Sequence, residues 1–360
     1  MLNYIIKRLL NGFLVMFGVI TLIFVLFNIL PADPARMMLG QRADVASIDA
    51  INKDLGRDKP LLTQYFNYLN DLSPISVHNE SDANSYWYLD STKYSSATTL
   101  FHISSTKVIV LKKPYLRRSY QSKREVASVL GDAIPATFIL AITAMAFAVL
   151  LGGWIGIMAA IRKNSFFDRA ALVLASMGMS LPSFFMAVLI GWFFAFVLHE
   201  YTGLNMYGSL YTIDDFGNGE YLDLKNLILP ALTLGIRPLS IIIQLTRNSM
   251  LEVLSMDYIR TARAKGLSSR TVLYRHALRN ALNPVITAIS GWFASLLAGA
   301  VFVEFVFDWK GIGVVIVQAL EKFDFPVVMG AVLLISLLLV FVNIIVDILY
   351  GWLDPRIRYA

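Results

Sequence analysis

No cysteine occurs among the 360 residues, so disulfides, thiolate metal sites and a cysteine-linked lipid anchor are excluded. Histidine is scarce: His78, His102, His199 and His276 are scattered without ligand spacing, and no metal site is expected. Charge is sparse too, at 16% of residues against about 25% in an ordinary soluble domain. No Gly-Lys pair exists, so the chain has no glycine-rich loop to cradle a nucleotide's phosphates. What fills the sequence instead is apolar. It is 57% hydrophobic with a mean hydropathy of +0.61, the composition of a polytopic membrane protein. The net charge of +6 is no nucleic-acid footprint, because the basic residues gather in short stretches between apolar runs.

Six such runs are expected to span the membrane. The first, residues 9–30 behind Lys7 and Arg8, exceeds a secretory h-region and lacks a cleavage pattern, so it reads as an uncleaved span. The others fall at about 134–161, 171–198, 227–245, 285–307 and 327–349, the third kinked at Ser180-Leu181-Pro182. Arg162, Lys163 and Arg169 mark a cytoplasmic turn. Glu200, Asp214, Asp215, Glu220 and Asp223 against Lys225 alone mark an outer loop, and the basic end at 353–358 is again cytoplasmic. Six spans place both termini inside. Residues 31–125, rich in Ser, Tyr, Asn and Asp, form a long outer segment expected to hold local helices. Its basic cluster Lys112, Lys113, Arg117, Arg118, Lys123 and Arg124 reads as a solvated surface, with a docking patch for a partner as the alternative.

The most informative stretch is residues 247–282. Seven basic residues (Arg247, Arg260, Arg263, Lys265, Arg270, Arg275, Arg279) face two acids, Glu252 and Asp257, which makes it a cytoplasmic loop. Its centre reads as a two-turn helix, capped by Ser255 or Asp257 and ended by Gly266 in the left-handed conformation. So short a helix cannot hold together alone in water and must rest on something. Tyr258, Thr261, Ala262 and Lys265 share one face, suited to a groove on a cytosolic protein. A basic helix lying on anionic lipid is the alternative.

The string YIRTARAKGLS (258–268), followed by RHALRNAL (275–282), resembles the coupling loop of ATP-driven importer permeases, in particular the dipeptide/oligopeptide permease family of bacterial ABC transporters. The similarity extends to LPADPA (30–35), DLGRDKPLLTQYFNYL (54–69), SYQSKREVASVL (119–130), EFVFDWKGIGVVIVQALEKFDFPVVMG (304–330) and DPRIR (354–358). The resemblance implies an all-α polytopic membrane protein with six transmembrane helices, the type I ABC importer transmembrane-domain fold, and a large extracytoplasmic loop between helices 1 and 2. On that plan, 1–30 is the first helix and 31–125 an extracytoplasmic subdomain with a family-atypical insertion at about 70–118. Residues 126–360 are then a five-helix core carrying the coupling loop 247–282.

The same resemblance implies that Tyr258, Ile259, Arg260, Thr261, Ala262, Arg263, Ala264, Lys265 and Gly266 form the helix that sits in a cleft of an ATPase subunit. The chain would then be no enzyme and hold no cofactor, ATP and magnesium being bound by two partner ATPase subunits. Its other implied partners are a second, related but different permease chain, an extracytoplasmic substrate-binding protein and the lipid bilayer, with no nucleic acid. The location implied is a bacterial inner membrane. Di- or oligopeptides are the implied substrates, although relatives with this signature also carry nickel chelates, glutathione, oligosaccharides or peptide antibiotics.

Within the spans, Thr287, Gly291, Ser295 and Gly299 form a small-residue stripe, as do Ala144, Ala148, Gly152 and Gly156. Packing inside the subunit is the favoured role for both, with a pathway-lining or partner-facing role as the alternative. Arg237, beside Pro238 near mid-span, must face water or an acid; it is either a pathway residue meeting a substrate carboxylate or a structural, snorkelling cation. Asn343 and Asp347 lie one turn apart near the inner end of the sixth span, where Asp347 is expected to cap or pair. An ion-coupled secondary transporter is disfavoured because the spans hold almost no acids and no repeat is visible. An intramembrane serine enzyme at Ser180 or Ser290 lacks a histidine base.

Overall fold

The computed structural model describes residues 2–29, 58–82, 85, 87–90, 93, 94, 96–213 and 219–353. LPADPA, DPRIR, residues 54–57, Asp214 and Asp215 lie outside them, as does the side chain of Asp347. In chain order come α1 (Leu2–Ile29), α2 (Leu61–Leu72), β1 (Ile75–Asn79), β2 (Thr98–His102), β3 (Lys107–Leu111) and α3 (Val126–Ile161). Next are α4 (Phe166–Ser180), α5 (Ser183–Gly191), a π-helical turn (Trp192–Val197), β4 (Tyr211–Ile213), β5 (Glu220–Leu222) and α6 (Lys225–Leu254). The chain ends with α7 (Asp257–Ala264), a second π-helical turn (Val272–Leu278), α8 (Arg279–Gly299), α9 (Val301–Phe307), α10 (Ile312–Glu321) and α11 (Phe325–Leu353).

Four of the described helices are long and apolar enough to cross a membrane: Ile6–Phe27 within α1, α3, α6, and Phe325–Val346 within α11. Two bent pairs raise the number to six if each pair is one span. The expected kink at Ser180-Leu181-Pro182 is in fact a break of 111° between α4 and the segment starting at α5. Leu181 is driven out of the helical region because it precedes proline, and it and Pro182 are both extended, with ψ 137 and 140. The fifth run likewise bends by 56° before α9.

The chain divides into two compact units. The larger comprises Met1–Gly12, Ala133–Val317 and Ile335–Ala360. Its centre is α6, on which α8, α4 and α5 all pack. Leu140, Ala144, Leu229, Ile242, Val303 and Trp309 are among the buried residues of its core. α3 reaches α6 by the stripe Ala144, Ala148, Gly152 and Gly156, all buried. A Cβ on Gly152 would stand 2.9 Å from the Leu239 carbonyl oxygen, and one on Gly156 2.8 Å from that of Ile243. Only glycine permits so close an approach of the two backbones.

The smaller unit comprises Phe13–Asp132 and Gln318–Leu334. Here an all-α architecture is corrected. Beside α2, the segment assigned as an insertion carries an antiparallel sheet of order β1-β3-β2, with Ile75 opposite Leu111 and Thr98 opposite Leu111 on the other side. β3 alternates in burial, Val108 and Val110 pointing inward, which is strand periodicity rather than helical. A second, two-stranded sheet, β4-β5, lies in the larger unit. α2 is held to α1 by Phe24 and Tyr65, ring centroids 5.0 Å apart, and by a 2.6 Å Thr21–Tyr65 hydroxyl contact.

The basic cluster is not simply a solvated surface. Lys112 is buried, its Nζ donating to the Asp71 carbonyl oxygen at 2.6 Å and lying 5.1 Å from the Tyr94 ring centre. Desolvation lowers its pKa to about 8, with the Asp71 charge opposing. Arg117 lies over Tyr68. Asp324 closes the turn before α3, accepting from the Ser119 hydroxyl at 2.5 Å and the Tyr120 amide at 2.9 Å.

Candidate coupling helix and translocation face

The two-turn helix forms as α7, between α6 and α8. Its start differs from expectation. Ser255 is the C-cap of α6, its backbone still in the right-handed region, and its hydroxyl donates back to the Glu252 carbonyl oxygen at 2.7 Å, so Met256 takes the N-cap position of α7 without a side-chain cap. Asp257 lies inside the first turn, where its charge favours the helix dipole, and is 3.3 Å from Arg260. The end is as expected. Gly266 adopts φ 77 and donates to the Arg263 carbonyl oxygen at 3.0 Å, while Leu267 donates to that of Ala262 at 3.3 Å. These two bonds together make a Schellman ending.

α7 rests on its own chain. Ile259 is fully buried and Ala262 is 7% exposed, both packed with Ala160, Met250, Val253, Val272 and Ala277. This corrects the expected docking face: Ala262 points inward, because i+3 spacing from Ile259 puts both on the underside. The outward surface is Tyr258, Arg260, Thr261, Arg263, Ala264, Lys265 and Gly266, all exposed. Tyr258 also ties α7 to α8, its hydroxyl accepting from Asn280 Nδ2 at 2.8 Å and lying 3.5 Å from the His276 carbonyl oxygen. The π-helical turn that leads into α8 contains His276. Toward the C-terminal end of α6, Arg247 grips Asp168 of α4 with two bonds, Nε–Oδ1 2.5 Å and Nη2–Oδ2 2.9 Å.

α8 turns its small-residue stripe outward. Thr287, Gly291 and Ser295 are exposed, and a Cβ on Gly291 would meet nothing within 4 Å. Packing inside the subunit, the role favoured for this stripe, is therefore corrected for those three. Arg237 on α6 is exposed and lines a cleft with Ser183, Trp292 and Ser295. Asn343 is exposed. The Ser180 hydroxyl donates to the Ser176 carbonyl oxygen and that of Ser290 to Ile286, each bonded back to its own helix.

One residue escaped the sequence reading. Glu304, fully buried in α9, accepts from the Thr137 hydroxyl at 2.7 Å and the Gly313 amide at 2.6 Å. The Ile312 amide in turn donates to Thr137 at 2.9 Å, and Trp309 Nε1 donates to the Ala136 carbonyl oxygen at 2.9 Å. The carboxylate thus caps the start of α10 and fixes it to α3. The signal was the run Glu304…Gly311-Ile312-Gly313, an acid ahead of two glycines whose missing side chains leave room for it.

The family model described as binding-protein-dependent transport system inner membrane component matches residues 152–359, and its N-terminal companion matches residues 1–85. The dipeptide transport system permease protein DppB of Alkalihalophilus pseudofirmus is 32% identical, covering 100% of both chains. The glutathione transport system permease protein GsiC is 36% identical in Pectobacterium atrosepticum and 35% in Escherichia coli, again over 100% of both chains. A solved inward-facing MetNI methionine ABC transporter aligns with 61% of this chain and 95% of its own at 16% identity and a TM-score of 0.45. With one model matching more than half of its length and relatives aligned end to end, the chain belongs to the family of binding-protein-dependent transport system inner membrane components.

Proposed function

We propose that this chain is a permease subunit of an ATP-driven importer of short peptides, contributing half of the translocation pathway. It has the six-span type I ABC importer fold in a bacterial inner membrane, with both termini cytoplasmic and residues 31–125 outside. The bent pairs α4–α5 and α8–α9 then count as the third and fifth spans. α7 is the coupling helix. Two separate ATPase subunits bind ATP and magnesium and grip Arg260, Thr261, Arg263, Ala264 and Lys265. Ile259 and Ala262 pass the motion to the ends of α6 and α8. A second, related permease completes the pathway, and an extracytoplasmic binding protein delivers the substrate.

The observation that carries the reading is the build of α7: a basic two-turn helix with a buried underside, an exposed polar top and a hydrogen-bonded tether to α8. The exposed stripe of α8 supports a water-filled or partner-lined face, since small polar residues give lipid chains little to pack against. Glutathione is the second reading for the substrate, favoured by GsiC relatives more similar in sequence than DppB.

The test is ATP turnover by the assembled complex in proteoliposomes with its binding protein. Dipeptides or glutathione are expected to raise turnover and accumulate inside. Stimulation by nickel chelates or oligosaccharides with none by either peptide class refutes the peptide assignment.

A further inference from the structure

We infer that Arg237 and the cleft around it form a carboxylate-binding station on the translocation face, which receives the C-terminal carboxylate of the passing peptide. The peptide as the source of that carboxylate rests on the function proposed above; the anion site itself does not.

Arg237 lies twelve residues into the 30-residue α6, about 18 Å from its start at 1.5 Å per residue, and so far from either end. Of the residues of α6 between Leu229 and Arg247, all described, it is the one that is exposed. Among the described residues none pairs with it by hydrogen bond or ion pair. A cation at that depth is too costly to leave against lipid chains, so it faces water, a partner or a ligand.

Its surroundings are built for an anion. The cleft, about 90 Å³, is lined by Arg237, Ser183, Ser295, Trp292, Leu181 and Met186 among others, and by no acid. The break at Leu181-Pro182 brings Ser183, the first residue of α5, into the cleft wall. Ser295 belongs to the exposed stripe of α8, so the cleft lies along that same water-filled or partner-lined face. A planar guanidinium matches a carboxylate through two parallel bonds, and the two serine hydroxyls add donors. The volume is well under the roughly 300 Å³ of a small-molecule pocket, which suits one end group and not a whole peptide. Recognition of the shared end group leaves the side chains of the cargo free to vary.

The absence of cysteine supplies the first arm of the test: Ser295→Cys places a single thiol of this chain in the cleft. In the assembled complex in bilayers, an anionic methanethiosulfonate should modify it faster than a cationic one. Arg237→Gln should lower that rate ratio by about tenfold, the change set by 1.4 kcal/mol. Equal rates in both backgrounds, or no labelling by either reagent, overturn the anion site.

The second arm compares uptake of a dipeptide with its C-terminal amide at saturating loaded binding protein, so that capture by that protein drops out. The acid-to-amide ratio should fall by about tenfold in Arg237→Gln. If the thiol ratio shifts while acid and amide uptake change together, the carboxylate ligand is refuted although the anion site stands. If Arg237→Gln does not assemble, Arg237→Lys serves. Its compact charge should keep the thiol ratio while lowering the acid-to-amide ratio, and an unchanged acid-to-amide ratio overturns the carboxylate ligand. Failure of the wild-type complex to import any peptide counts against the transport reading instead.

Discussion

Gly266 stands at φ 77, and a Cβ placed there would touch nothing within 4 Å. The constraint is therefore one of backbone conformation and not of space. A β-branched residue held in the left-handed region carries strain of about 1–3 kcal/mol, whereas asparagine visits that region readily. Gly266→Val should loosen the end of α7 and lower peptide imported per ATP hydrolysed, while Gly266→Asn stays close to wild type. Parallel uptake and hydrolysis assays on the reconstituted complex separate the two, and an unchanged ratio in the valine variant counts against a coupling role for α7. The need for glycine was legible because a short periodic run stops at Lys265-Gly266. The inward turn of Ala262 was not, since the helix is too short for its apolar residues to define a side. Glu304 was missed for a related reason: an acid looks costly in a span until Thr137 and the Gly313 amide are brought to it by distant segments.

Two elements with the same small-residue spacing meet different fates. On α3 the stripe is buried against α6, and on α8 it is exposed at Thr287, Gly291 and Ser295. Spacing shows that small residues line up along a helix; it does not show what lies over them. Gly156→Leu should force α3 and α6 apart and cost about 1–3 kcal/mol of stability, seen as loss of folded chain in detergent. Gly291→Leu should leave folding unchanged and cut transport, because its side chain projects from an open face. A folded, fully active Gly291→Leu variant would remove α8 from the pathway. The sheet was hidden for another reason. β1, β2 and β3 are five residues each, too brief for alternation to stand out; buried Val108 and Val110 of β3 share the interior with the polar Ser76 and His78 of β1, and β2 is exposed throughout, which blurs the apolar signature. The break at Leu181-Pro182 was half legible: proline marks the place, but the 111° turn needs both residues extended at once.

For the molecule as a whole, the long apolar runs were readable because bilayer thickness demands them, and the described helices begin or end several residues beyond each expected run. What composition cannot reveal is which surfaces meet lipid and which meet protein. Leu150 of α3, 74% exposed, and Phe13 of α1, 67% exposed, suit lipid. The top of α7 does not, for it offers Arg260, Arg263 and Lys265 around a patch holding only Ala264 and Thr261. A surface of that kind, on a helix already anchored from below, fits a groove in another protein. In this cysteine-free chain, Ala264→Cys or Arg260→Cys should cross-link to the ATPase subunit through a short thiol-to-amine reagent in the assembled complex. Ala262→Cys, 7% exposed in this chain, should not react until the protein is denatured. Cross-linking from Ala262→Cys with none from Ala264→Cys would mean that α7 is turned over on binding. Equal maleimide labelling of Ala264→Cys with and without the ATPase would mean that no partner covers this helix, and that the force for transport enters elsewhere.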